Sequence, residues 1–186
     1  MEKRLKMVDV SAGNGKEFDV NVTMETGEVE SFKMKADQTL SFPEGSLELV
    51  RVFDVCQYMG DSFIPFIESI HKAMIPGGIV SIRVPEYPCA VSISNPLIKR
   101  YFTPFTFGYF EGLFNVMHTE VVEQASGAKD RGMHGTFDSS IYIEMIKPDP
   151  EMEKRIAEKM AAIADIPRNE RRITDAQIDI IPGANT

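Results

Sequence analysis

A chain of 186 residues, 43% hydrophobic and 26% charged, is long enough for one domain with a sizeable core plus an appendage. Its formal net charge of −8 disfavours a nucleic-acid backbone as the main partner, because phosphate binding wants a basic face. No run approaches membrane-spanning length, Met1-Glu2-Lys3-Arg4-Leu5 has no apolar signal core, and Cys56 and Cys89 form no metal or redox spacing, so a reducing, cytoplasmic setting without a membrane partner is expected.

Residues 6–10 read as a first strand running into Ser11-Ala12-Gly13-Asn14-Gly15, whose small side chains let a loop approach a ligand closely. Asp19-Val20-Asn21-Val22-Thr23 alternates and is β-branched, which makes a second strand. The few residues between the two are too few for a full crossover helix; either the strands pair directly or the crossover is a shortened loop. Glu25-Thr26-Gly27-Glu28 is a turn, residues 29–35 a third strand ending at Ala36-Asp37, and Leu40-Ser41-Phe42-Pro43-Glu44-Gly45-Ser46 a turn with apolar flanks.

The most legible part follows. Residues 50–53 are a short β-favouring run; Asp61-Ser62 offers a helix N-cap; Phe63, Phe66, Ile67, Ile70 and Met74 share one face of a 3.6-period helix. Pro65 falls in the first turn, where its missing N–H has no intrahelical partner to lose. Pro76-Gly77-Gly78 is expected to stop the helix, and residues 79–84 form a strand closed by Pro85. Strand, helix and strand make a right-handed βαβ unit and hence a parallel sheet.

Residues 86–96 read as a long loop at the carboxyl edge of that sheet, where open α/β sheets place their ligands. Half of residues 101–114 are aromatic, broken by Pro104 and Gly108: either a short helix with its rings in the core, or rings set around an acceptor substrate. Residues 116–123 and 139–146 are strand-like and suit an antiparallel pair. Asp149-Pro150-Glu151 then opens a helix with the stripe Met152, Ile156, Met160, Ile163. After Pro167 the chain is polar, and either an arm reaching another subunit or a plain end fits it. The organisation expected is a domain over 1–147 and a C-terminal helix and tail over 148–186, with a homo-oligomer formed through the latter.

In their order and spacing these stretches resemble the class I S-adenosylmethionine-dependent methyltransferases, in the short form with a compressed first crossover, over about residues 5–147. Leu40-Ser41-Phe42-Pro43-Glu44-Gly45-Ser46 looks like the family's Leu-Pro-Phe-Pro-Asp-Gly-Ser turn; the helix running into Pro76-Gly77-Gly78, the segment Asp54-Val55-Cys56-Gln57-Tyr58-Met59-Gly60-Asp61 and the loop holding Arg100-Tyr101-Phe102-Thr103 match in place. The resemblance implies a Rossmann-like α/β sheet, mainly parallel with an antiparallel last strand, and helices on both faces. It implies S-adenosylmethionine as cofactor, with Ser11, Ala12, Gly13 and Asn14 passing under its methionine part, Asp37 accepting from the adenine amino group, Gln38 in backbone contact, and Asp54 beside the cofactor. The family's ribose-clamping acid falls on Thr23, with Glu25 as its substitute if the turn is shifted, and Gln57-Tyr58 stand where the family carries Glu-His.

Methyl transfer needs alignment more than acid–base help, since the sulfonium is already a strong electrophile. His71 reads as a surface residue of the central helix, His118 as a sheet histidine, His134 as a loop residue, and Cys56 as packing; none is assigned a catalytic role. Two functions are expected: methyl transfer to a small molecule or saccharide, or a catalytically inactive methyltransferase-like subunit of an assembly.

Overall fold

The computed structural model describes residues 5–12, 16–125 and 137–164. Compactness divides the chain between Pro148 and Asp149. The first unit carries a seven-stranded sheet with β1 Leu5–Ala12, β2 Glu17–Met24, β3 Val29–Lys35, β4 Leu47–Phe53, β5 Met74–Pro85, β6 Asn115–Ala125 and β7 Phe137–Ile146, in the spatial order β3-β2-β1-β4-β5-β7-β6.

Five of the seven strands point the same way: β1, β4 and β5 pair in parallel, and β3 and β6 are brought into the same direction by two antiparallel steps each. The last strand, β7, is antiparallel, as expected. So is β2. Only four residues, 13–16, join β1 to β2, and four more, 25–28, join β2 to β3. A parallel return needs a dozen or more, so both connections close as hairpins. The open question between direct pairing and a shortened crossover is thereby decided for direct pairing: Val8 faces Val22 and Val10 faces Val20.

Hairpins in place of crossovers also remove the helices that crossovers would carry. Helical cover on both faces, implied by the resemblance, is corrected on this point. One face is apolar and buried, with Val8, Val10, Phe18, Val20, Val22, Val50, Val52, Val80, Ile82, Val84, Ile141, Ile143 and Met145 in one core. Alternate positions on the other face are largely polar and pair across strands: Arg51 with Asp9 at 3.7 Å, Lys33 with Asp19, Ser31 with Asn21 at 2.6 Å, and Ser81 with Glu144 at 3.4 Å. Antiparallel sheets tolerate one solvated face, and the antiparallel pairs here make that possible.

Over the buried face lies α1, Phe63–Ala73, whose Phe63, Phe66, Ile67, Ile70 and Ala73 are buried. Ser62 is its N-cap, but neither it nor Asp61 supplies a side-chain cap bond. The reason is local: a 3-10 turn, Gly60–Ser62, runs straight into the helix, and Phe63 N–H donates to Gly60 O. The expected terminator is also corrected. The helix ends at Ala73, and Met74 is already extended (φ −78°, ψ 147°) as the first residue of β5. Carbonyls left over at that end find partners: Ser46 N donates to Ala73 O (2.7 Å), Gly45 N to Lys72 O (3.3 Å), and Lys147 Nζ to the carbonyls of His71 and Met74 (2.9 and 2.8 Å). Pro76-Gly77-Gly78 instead forms a bulge within β5, between its pairing at Leu47 and its pairing at Leu49.

Residues 36–46 cross beneath β2 and β1 as a loop held on α1, where Leu40 is buried and its N–H meets Ser69 Oγ (3.2 Å). The aromatic stretch is a 3-10 helix, Pro104–Phe110, that buries Phe107 and Phe110 alongside Phe102 and Phe114, while Tyr101, Phe105 and Tyr109 stay exposed. Phe63 meets Phe102, Phe107 and Phe110 edge-on, with centroids 5.2–6.4 Å apart. The predicted loop 86–96 holds a short helix, α2 Ala90–Ser94, capped through Cys89 and Ser92. In the second unit α3, Pro150–Ala164, starts as predicted, with Asp149 Oδ1 accepting from the N–H groups of Glu151 (3.0 Å) and Met152 (3.3 Å).

Candidate functional site

The strand directions decide which residues can share a site. Where β1, β3 and β4 end, Ser11 pairs with Phe53 of β4, and Asp37 and Asp54 follow the last residues of β3 and β4. Ser11 and Asp37 are exposed, Ala12 and Asp54 half-buried. Gly13 and Asn14 lie outside the described residues, but the carbonyl of Lys16, just beyond them, accepts from Ala36 N–H at 3.2 Å. The β1–β2 hairpin and Asp37 therefore stand next to each other, as the predicted site requires.

Thr23 is elsewhere. Because β2 is reversed, Thr23 pairs with Met7 and Val29 at the opposite edge of the sheet. Ser11 lies four residue steps beyond Met7, which is about 13 Å of strand. Thr23 lines its own hollow of about 460 Å³ with Lys6, Met7, Glu48, Leu49 and Ile79. No carboxylate at the end of β2 can reach a ligand held between Ser11 and Asp37, and Glu25, one turn further on, shares the wrong edge.

Asp37 borders two hollows at the carboxyl edge. One, of about 560 Å³, lies along the outer strand and is lined by Phe32, Met34, Gln38 and Leu40 among others. The other, of about 360 Å³, lies between the end of β3 and the loop after α2, and is lined by Lys16, Lys35, Ala36, Asp37, Pro96, Leu97 and Lys99. Gln38 closes the turn that presents Asp37: its N–H donates to Lys35 O (3.1 Å) and its Oε1 accepts from Lys35 N (2.8 Å). That backbone donor is used inside the protein.

The far wall of the smaller hollow is clamped to the segment after β4. Lys99 N and Arg100 N both donate to the Gln57 carbonyl (2.8 and 3.2 Å), Asn95 Nδ2 donates to Tyr58 OH (3.2 Å), and the Arg100 guanidinium donates twice to Gly60 O while lying 5.1 Å over the Phe63 ring. Asp54 sits at φ +58° and is held by its N–H to Arg83 O (2.9 Å) and by an ion pair with Arg83, which also stacks 5.0 Å over Phe53. Gln57 is 2% exposed, and its Oε1 has no partner among the described residues.

Burial pushes the Cys56 thiol far up, out of the nucleophile range. His71 is held below its ordinary value by burial and then by the nearby Lys147 ammonium, and it packs edge-on against Phe114, away from this edge. His118 is exposed on β6 beside Glu120, and His134 lies outside the described residues. Lys16, Lys35 and Lys99 were not legible as a group in the sequence, because 83 positions separate the first from the last and nothing in their spacing marks them.

No family model and no curated protein matches the chain. Among solved structures it is similar to a provisionally named methyltransferase of Bacillus halodurans, with 10% identity over 62% of this chain and 70% of that one, at a TM-score of 0.51. Looser likenesses link it to a SAM-dependent methyltransferase of Methanosarcina mazei (14% identity, 62% and 65% covered, TM-score 0.44). Another is to a phosphoethanolamine N-methyltransferase of Haemonchus contortus held with phosphomonomethylethanolamine and S-adenosylhomocysteine (12% identity, 59% and 35% covered, TM-score 0.43). The fold is thus that of the Rossmann-like methyltransferases. At such identities the likeness reaches the fold and no single site residue.

Proposed function

We propose that this chain is a methyltransferase-fold subunit that works by binding and assembly rather than by methyl transfer. The observation that carries this is the reversed β2. S-adenosylmethionine is the cofactor named for the solved relatives, and its ribose, methionine and adenine parts need residues from several strand tips at one edge. Here the tip of β2 is at the wrong edge, a four-residue hairpin replaces the first crossover and its helix, and the hollow beside Asp37 is lined by three lysines that repel a sulfonium. The residues present do not fit that cofactor as a set.

Methyl transfer from S-adenosylmethionine to a small molecule or saccharide is the second reading, and one observation favours it: Asp37, Ser11 and Asp54 share the carboxyl edge, beside a hollow. Calorimetric titration separates the two. Silence with S-adenosylmethionine and S-adenosylhomocysteine up to millimolar concentration is expected; micromolar binding that Asp37→Asn weakens about tenfold would replace the first reading by the second.

A further inference from the structure

We propose that β6 is a dimer edge: two copies of this chain pair antiparallel through it and join their seven-stranded sheets into one. The inference goes beyond the proposed function, since it does not depend on what the carboxyl edge holds.

β6 is the last strand in the sheet order and pairs with β7. Among the described residues no second strand takes up its outward N–H and C=O groups. Every side chain from 115 to 123 is exposed. That includes Val116, Thr119 and Val121, which stand opposite Met145, Ile143 and Ile141 and so lie on the face of the sheet that is buried elsewhere. With Met117 and Val122, the strand presents four large apolar side chains that are 36–58% exposed. The opposite edge is guarded: β3 carries Lys33 and Lys35 in seven residues, a usual means of keeping a sheet edge from pairing. β6 has neither lysine nor proline in eleven.

What this strand complements is itself. In an antiparallel pair related by a two-fold axis normal to the sheet, side chains that meet must share a face, which leaves few registers. Centring the axis on Thr119 sets His118 opposite Glu120 of the second copy, and does so twice. Within one strand His118 Nε2 already lies 3.6 Å from Glu120 Oε2, so the four groups alternate around the axis. Val121 then meets Val116 and Met117 of the second copy, two residues against one where the register of β6 shifts. Centring the axis on Glu120 instead would oppose that carboxylate to its own copy, which is destabilising. Charge complementarity thus selects both the occupant, a second copy, and the register.

The test uses the full chain. Sedimentation equilibrium at about 100 μM is expected to give the mass of two chains. His118→Glu sets carboxylate against carboxylate on both sides of the axis and is expected to weaken the dimer about tenfold. His118→Glu/Glu120→Lys, which puts unlike charges back in the same places, is expected to return to within about threefold of the native value. The register is read by cross-linking. Thr119→Cys is expected to join two chains by a disulfide on mild oxidation, because opposed residues of paired strands lie about 4.5–5.5 Å apart at Cα. Val121→Cys is expected not to, since its two copies would stand about 13 Å apart along the strands. The native thiols, Cys56 and Cys89, are buried, and all the substituted side chains are exposed, so unchanged circular dichroism is expected. The proposal is overturned by a native chain of monomer mass, by a His118→Glu chain that associates like the native one, by a double variant no better than the single, or by equal cross-linking of the two cysteine variants. Cofactor titration tests the proposed function separately, so a monomer that stays silent with S-adenosylmethionine sinks this inference alone.

Discussion

At Asp54 the backbone enters the left-handed region (φ +58°), which costs a residue with a β-carbon about 1 kcal/mol or more, and Arg83 holds it there from both its carbonyl and its guanidinium. Two residues on, Cys56 and Gln57 are buried: burial holds the thiol protonated, and among the described residues the Gln57 Oε1 has no donor. His71 carries a pH dependence in the acid range whose sign follows from its burial. Folding holds its pKa below the value of 6.5 it has when free, so the unfolded chain takes up the proton first. The stabilising contribution of neutral His71 is whole above about pH 6.5 and is lost as pH falls from there through the folded value. Urea midpoints at pH 7.5 and pH 5 are expected to differ more for the native chain than for His71→Phe, which keeps a ring on Phe114; equal differences would remove His71 as the source.

Among the elements, the aromatic stretch 101–114 had two readings, and the structure divides it. Its 3-10 register turns Phe107 and Phe110 inward and leaves Phe105 89% and Tyr109 74% exposed. Phe63→Ala, which empties the centre of the ring cluster, is expected to cost about 3–5 kcal/mol in denaturant unfolding, whereas Phe105→Ala is expected to stay within about 0.5 kcal/mol. Comparable losses at both positions would mean that the exposed ring is packed. Most strands were legible because alternation of Val, Ile and Phe with polar residues signals one buried face, and β3 was read to its very ends. Boundaries failed where a neighbour intervenes. Met74 has the apolar face of a helix residue, yet the β4 ladder takes it as strand, since it pairs with Leu47.

At the scale of the whole molecule, the sheet has one dry face and one polar face, with a separate C-terminal unit after Pro148. The apolar stripe read in α3 needs a surface, and its Met152 is 45% exposed. If that helix joins subunits, deleting residues 149–186 is expected to lower the mass in light scattering to that of one chain; an unchanged assembly state would deny the segment that role. The same scale explains the site. Short connections of four residues turn two strands into hairpins, and the turn of one strand moves Thr23 some 13 Å from the edge where Ser11 and Asp37 remain.

Local periodicity and length were enough to read, from the amino acids alone, the strand–helix–strand unit around α1 and the capped start of α3, since each depends on side chains a few positions apart; the methyltransferase-like order of elements came from the resemblance of motifs to that family. Strand direction and charge convergence were not local quantities. Whether β2 runs with or against β1 depends on what a four-residue link can span, and the meeting of Lys16, Lys35 and Lys99 depends on a loop hung from Gln57 far along the chain. Those contacts exist only once the sheet has formed, which is why the tertiary structure, and not the pattern of residues, decided which side chains share this edge.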